Sequence, residues 1–227
     1  MDKVGHAYSA YHLGELGYYA SRFSCINETK SVWVGGALGL IYLTTIELFD
    51  GYSAGWGASS GDLISNVSGY LLFAGQQQLW KEQRFRMKFS YFPGKYAQYR
   101  PDQLGSSFPA SLLKDYNAQS YWLSFSPATF SAKDKTLWPK WLCISVGYSA
   151  DGMLGANSNP STYQGSILPV FERQREVFLS LDIDLSRIKT SSKTLSLLLH
   201  ALNLIKIPFP ALQYSQNDGL NWRWLYF

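Results

Sequence analysis

Charge is scarce in this chain. Only 16% of its 227 residues are Asp, Glu, Lys or Arg, well below the roughly 25% of an ordinary soluble domain. The positive excess is small, a formal +4, and no run of Lys and Arg concentrates it. A nucleic-acid binder of the usual kind is thereby excluded. Cysteine is nearly absent: Cys25 and Cys143 cannot build a disulfide framework or a zinc ribbon. No P-loop, dinucleotide fingerprint, nucleophile elbow or zinc motif occurs. The opening residues, Met1-Asp2-Lys3-Val4-Gly5-His6, show no basic n-region, apolar h-region or cleavage site. Against these absences stand 46% hydrophobic and 16% aromatic residues. That composition excludes intrinsic disorder, and the length suits one large domain or two small ones with a sizeable core.

Periodicity divides the chain near residue 84, into a helical part (1–83) and a β-rich part (84–227). Three helices are legible in the first: Lys3 to Phe23, Val32 to Phe49, and one starting after Ser59-Ser60-Gly61 and running through Trp80. Ser59 and Asp62 have capping-box spacing. Gly51 to Gly57 reads as a glycine-rich loop. The second helix approaches the 20 apolar residues that a membrane span needs, and Gly35 and Gly39 fit the small-xxx-small pattern of close helix packing. A hydrophobic bundle buried against other parts of the protein is the preferred expectation. On the first helix, His12 and Glu15 are expected on a solvated face.

Beyond residue 84 the period is two. Phe85, Met87, Phe89 and Tyr91 face away from Arg84, Arg86, Lys88 and Ser90. The same alternation runs through Tyr121–Ser126, Leu142–Ser149 and Val177–Ser186, and a last strand is expected from Leu220 to Phe227 after the Asn217-Asp218-Gly219 turn. A helix from Ser191 to Ile205 is stopped by Pro208 and Pro210. Each strand thus has an apolar and a polar face. The plain reading is an antiparallel sheet with one face on a core. The sharper one is an outer-membrane barrel with the apolar face on lipid and the polar face inward. Aromatics near strand ends (Tyr121, Trp122, Trp138, Trp141, Trp222, Trp224) and the terminal Phe227 favour the second. About six strands, fewer than the eight of a closed barrel, oppose it. Arg84, Arg86 and Lys88 could meet lipid phosphates. The expected fold class is α+β: a three-helix bundle with an antiparallel, barrel-like sheet of about six to eight strands and a helix near 191–205.

Chemistry-bearing residues gather at helix ends. Asp2 and His6 share a face at the start of the first helix; Glu47 and Asp50 lie at the end of the second; Asp62 and Asn66 open the third. If short loops make the helices alternate in direction, all six meet at one end of the bundle, with Lys3 as the nearest cation. Three readings stay open. The cluster could hold a divalent cation, perform acid–base chemistry through carboxylates of split pKa, or be a structural network of caps and ion pairs.

The arrangement Asp2-Lys3-x-x-His6, Glu47-x-x-Asp50 and Ser59-x-x-Asp62-x-x-x-Asn66-x-x-Gly69 resembles the YfiM-like family of predicted periplasmic lipoproteins, whose function is not established. The stretches Met1–Ala10, Thr45–Trp56 and Asp115–Ser124 resemble its Bacteroidetes-type members, which carry a β-rich second half. The polar skeleton of residues 2 to about 70 is also similar to that of VanZ-like membrane proteins. The resemblance implies a cell-envelope location, periplasm or outer membrane, and implies that such chains continue upstream of the Asp-Lys pair, so that Met1 would be an internal methionine. Two functions follow as expectations. One is a structural or lipid-contacting envelope protein with membrane lipid or lipopolysaccharide as partner. The other is a hydrolase or transferase of an envelope lipid or cell-wall intermediate. In the second, His6 would be the base, a protonated carboxyl the acid, and Asn66 the positioning group.

Overall fold

The computed structural model describes residues 1–52, 59–131 and 137–226, and of Asp50 the backbone alone. Most of the expected Gly51–Gly57 loop and the terminal Phe227 lie outside the described residues. The chain divides into two compact units, Asp2–Met87 and Lys88–Phe227 together with Met1.

The first unit holds three long helices: α1 (Asp2–Phe23), α2 (Glu28–Tyr52) and α3 (Ser60–Trp80). Asp2, Glu28 and Asp62 stand in first turns, where a carboxylate complements the positive end of the helix dipole. Lys81 ends α3 in a left-handed conformation (φ 59°), donating its backbone N–H to the Gln77 carbonyl. The expected capping box does not form. Ser59 occupies the N-cap position, but its hydroxyl makes no cap bond and accepts instead from Lys3 Nζ at 3.1 Å.

α1 packs on both other helices. Its contact with α2 depends on glycine: a Cβ on Gly35 would stand 2.2 Å from the Gly17 carbonyl carbon, so the two backbones touch. Tyr11, Tyr18, Val32, Tyr70 and Phe73 form the core between the helices. α2 buries its small residues (Ser31, Gly35, Gly36, Gly39) and leaves Trp33, Val34, Leu38, Ile41, Tyr42, Leu48 and Phe49 exposed. Apart from the buried Val32 and Leu43, most large apolar side chains of this helix therefore point away from the bundle, contrary to the sequence expectation. Glu28–Phe49 is long and apolar enough to cross a bilayer. Glu15 also differs from expectation. It is largely buried, 3.1 Å from Arg86 Nη1 and 3.5 Å from His12 Nδ1, and its Arg86 partner comes from far along the chain.

In the second unit the period-two sequence forms a six-stranded sheet with order β1-β2-β3-β6-β7-β8. The strands are β1 (Phe85–Tyr91, which carries the division between the units), β2 (Gln119–Phe125), β3 (Leu142–Asp151), β6 (Gln174–Ile183), β7 (Phe209–Ser215) and β8 (Gly219–Tyr226). Two short helices, α4 (Pro101–Leu104) and α5 (Phe108–Lys114), precede β2. β4 (Thr162–Tyr163) and β5 (Ser166–Ile167) make a separate hairpin, and α6 (Lys193–Leu202) follows β6. The ladders from β2 to β8 are antiparallel. The longest pairs Leu142 with Ile183 and ends at Asp151 with Gln174. β7 was not foreseen, because Pro208 and Pro210 read as breakers. Pro210 instead sits at a register shift between Phe209 and Ala211, where a missing N–H is tolerated.

The sheet is open, with β1 and β8 as its outer strands. The segment just before β7 lies along β1: Phe89 N–H donates to Leu204 O, and Lys206 N–H donates to Phe89 O, both at 2.9 Å. That cover replaces the β1–β8 pairing a closed barrel would need.

The burial of the two faces is inverted relative to an ordinary sheet. Ser120, Ser124, Ser145, Ser149, Ser180 and Gln213 are buried. Leu123, Val146, Val177, Leu179, Leu181 and Tyr214, on the opposite face, are exposed. Trp122, one of the expected interfacial aromatics, is instead 1% exposed inside the sheet, with Nε1 donating to Ser90 Oγ at 2.8 Å.

Candidate functional site

The end of the helical bundle brings together five of the six residues singled out in the sequence; the side chain of Asp50 lies outside the described residues. Because α1, α2 and α3 alternate in direction, the first turn of α1, the last turns of α2 and the first turn of α3 are neighbours. His6 stands at the centre. Its Nδ1 is 3.2 Å from Asn66 Oδ1, and its Nε2 is 3.4 Å from Glu47 Oε1 and 4.0 Å from Asp2 Oδ1. Lys3 Nζ donates to Asp62 Oδ1 at 2.8 Å, and the Ser59 N–H reaches Glu47 Oε2 at 3.5 Å.

The electrostatics follow from burial and pairing. Glu47, Asp62 and Asn66 are buried, whereas about half of the Asp2 and Lys3 side chains meet solvent. Burial alone would raise the Asp62 pKa. The Lys3 ammonium and the Ser59 hydroxyl overcome it and hold the carboxyl below its ordinary value. The hydrogen bond to Asp62 in turn raises Lys3. Both neighbours of the His6 ring are acceptors, an amide oxygen and carboxylates. The geometry therefore suits a cation held between Nε2 and the carboxylates. Ligand atoms of Asp2, His6 and Asp62 lie within 4.8 Å of one another, a mixed N/O set suited to a divalent cation. The Nδ2 of Asn66 is buried without a hydrogen-bond partner among the described residues. An orphan donor of this kind calls for a water, a ligand or a substrate atom.

A second polar centre, in the sheet unit, was not legible. Lys88, Asp182 and Lys206 are all 0% exposed. Lys88 Nζ pairs with Asp182 Oδ2 at 2.8 Å and donates to Ile183 O at 2.7 Å. Ser124 Oγ and the Ile207 N–H also donate to Asp182. Lys206 donates to the carbonyls of Leu181 and Ile207 and stands 4.5 Å above the Trp122 ring. Burial pulls its pKa down to about 8, against the attraction of Asp182. With Lys88 paired to Asp182 and Lys206 hydrogen-bonded to two carbonyls, the centre is built as a structural one. It also corrects the expectation that Arg84, Arg86 and Lys88 meet lipid phosphates: Lys88 is sealed inside, Arg86 pairs with Glu15, and Arg84 pairs with Glu82 at 2.9 Å. Asp184, just beyond β6, is also buried and held by Ser186, Arg187 and Asn203. His200 is exposed on α6, with its Nδ1 2.8 Å from the Ser196 carbonyl.

Neither a curated protein nor a solved structure matches the chain. Residues 1–74, the segment that carries the whole His6 cluster, match the family described as "predicted periplasmic lipoprotein (DUF2279)", which has no established function and supports a cell-envelope setting on the periplasmic side.

Proposed function

We propose that this protein is a lipid-contacting structural component of the cell envelope, placed at the inner side of the outer membrane, with membrane lipid or lipopolysaccharide as its partner. The single observation that carries the reading is the inverted burial of the sheet: serines, lysines and Asp182 inside, leucines and valines outside. Monomeric soluble proteins rarely expose contiguous apolar patches beyond a few hundred Å². In water, an exposed strand face of Val177, Leu179 and Leu181 gains nothing from folding; against acyl chains it gains the full transfer term, about 25 cal/mol per Å². The exposed apolar side of α2 in the other unit repeats the pattern. Flotation with phosphatidylethanolamine/phosphatidylglycerol vesicles tests it. The protein should rise with the vesicles and remain with them in 1 M salt, since acyl contact is not screened. Recovery in the soluble fraction as a detergent-free monomer would refute it.

The orphan Asn66 Nδ2 beside His6 favours a second reading, a hydrolase or transferase of an envelope lipid or cell-wall intermediate. Here His6 acts as base under the orientation of Glu47, and Asn66 positions the substrate. Replacing His6 separates the two readings.

A further inference from the structure

The sheet unit contains a cleft of about 580 Å³, within the size range of small-ligand sites. It is bordered by residues from β3, β6, β7 and β8 and by the 92–96 segment. At its wall Glu176 is 8% exposed. Gln213 Nε2 donates to Glu176 Oε1 at 2.5 Å, and Gln213 Oε1 accepts from Arg223 Nε at 2.6 Å. The amide is thus locked with its NH2 toward the carboxyl. The second oxygen of Glu176 has no protein partner among the described residues, in a side chain that borders the cleft. Opposite, Asp151 accepts from the Tyr96 hydroxyl at 2.9 Å.

The donor set selects the ligand's chemistry. Three carboxyl groups (Asp151, Glu176, Asp218) face the cleft against two cations, Lys95 and Arg223. An anionic head would meet the carboxyls, and an apolar one would leave buried Glu176 unpaired. A hydroxyl both donates and accepts, so it satisfies Glu176 whether or not that group carries a proton. Tyr96, Tyr226 and Phe92 add aromatic faces at the same cleft. Leu225 also borders it, and Leu225 and Trp224, its neighbour on β8, are among the most exposed apolar side chains of the sheet. A polar pocket therefore opens beside an unpartnered apolar strand.

We infer that this cleft binds the sugar head of an amphiphile whose hydrocarbon chains lie along β8. The chain part of this inference rests on the lipid-contact reading; the head part rests on the cleft alone. Burial, reinforced by Asp151 and Asp218 and opposed by Arg223 and the Gln213 hydrogen bond, pushes the Glu176 pKa up to about 7. A hydroxylated head should tolerate that titration, whereas an ammonium head should not.

The test compares three amphiphiles of one chain length, octyl glucoside, octyl phosphate and octyltrimethylammonium, each below its micelle concentration. Binding to the full chain is followed by calorimetry at pH 6 and pH 8. Octyl glucoside should bind about tenfold tighter than either of the others, a difference of about 1.4 kcal/mol, and change less than threefold with pH. Gly94→Trp, at a rim position where an added Cβ meets nothing closer than 3.7 Å, should fill the cleft. It should weaken octyl glucoside binding at least tenfold while vesicle flotation persists. Glu176→Leu should do the same and Glu176→Gln should restore most of the affinity; if the leucine variant does not fold, Gly94→Trp carries the test alone. Equal affinity for the three heads overturns the inference, as does octyltrimethylammonium binding tighter than octyl glucoside at either pH, or Gly94→Trp without effect. Maltose binding as tightly as octyl glucoside would point to a free glycan and overturn the amphiphile part. Loss of flotation with head selectivity intact would refute lipid contact alone.

Discussion

Removing the Asp182 carboxylate tests whether the polar interior of the sheet is structural. Asp182→Asn keeps the shape and most hydrogen bonds but leaves Lys88 and Lys206, both 0% exposed, without a countercharge. Breaking a buried pair by neutralising one partner costs about 3–5 kcal/mol, and here Lys88 loses its ion-pair partner while Lys206 loses the attraction of Asp182. A domain's whole stability is about 5–15 kcal/mol. For a chain of 150–250 residues each kcal/mol moves the melting temperature by about 2–4 °C, so the variant should melt about 6–20 °C below the parent. The compensating triple variant Lys88→Met, Asp182→Leu, Lys206→Met removes all three charges together. Buried ion pairs replaced by apolar groups of similar volume are often neutral or stabilising, and a methionine at 206 can still contact Trp122 through sulfur. Circular-dichroism melts of the purified chain read both. If Asp182→Asn melts within about 2 °C of the parent, the charges are not sealed in and the inverted interior is wrong.

Other outcomes follow from the geometry. Gly35→Ala should destabilise by about 1–3 kcal/mol, because its Cβ would meet the Gly17 backbone at 2.2 Å; a melt equal to the parent's would show that α1 and α2 do not touch there. Glu47→Ala should lower the melting temperature clearly, whereas His6→Ala should be neutral or stabilising only if the cluster is catalytic, since active sites trade stability for function. Glu15→Ala, at a largely buried residue paired with Arg86 and His12, should also destabilise. Glu176 carries a pH signature. Its folded pKa of about 7 lies above the unfolded 4.5, so the folded state holds the proton more tightly. Stability should then fall as pH rises from about 4.5 to 7 and level off above it. Glu176→Gln should flatten that slope; the opposite sign in denaturant titrations would contradict the burial.

The His6 cluster was legible because its order is local. Spacings of three and four residues fix a helix face, and alternating helices bring those faces to one end, so Asp2, His6, Glu47, Asp62 and Asn66 could be grouped from sequence. The strands were legible for the same reason. Which face of them is inside was not, because a period of two in Ser145–Val146 or Ser180–Leu181 reads identically with lipid or with a core on the apolar side. Glu15 was misplaced because its partner Arg86 is 71 residues away. The cleft was invisible because Asp151, Glu176, Gln213 and Arg223 come from four strands, and no spacing links them before β3, β6, β7 and β8 pair.

The central claim is that the outward apolar strand face meets lipid, and the accessibility of spin labels along β6 tests it most directly. Labels placed singly at Val177, Leu179 and Leu181 in a Cys25→Ser, Cys143→Ser background, with Asn217 in the β7–β8 turn as reference, would be read with the protein bound to vesicles. At the three outward positions, collisions with oxygen, which concentrates in hydrocarbon, should exceed those with a water-soluble nickel chelate, and the order should reverse at Asn217. Nickel collisions at all three positions as frequent as at Asn217 would contradict the account.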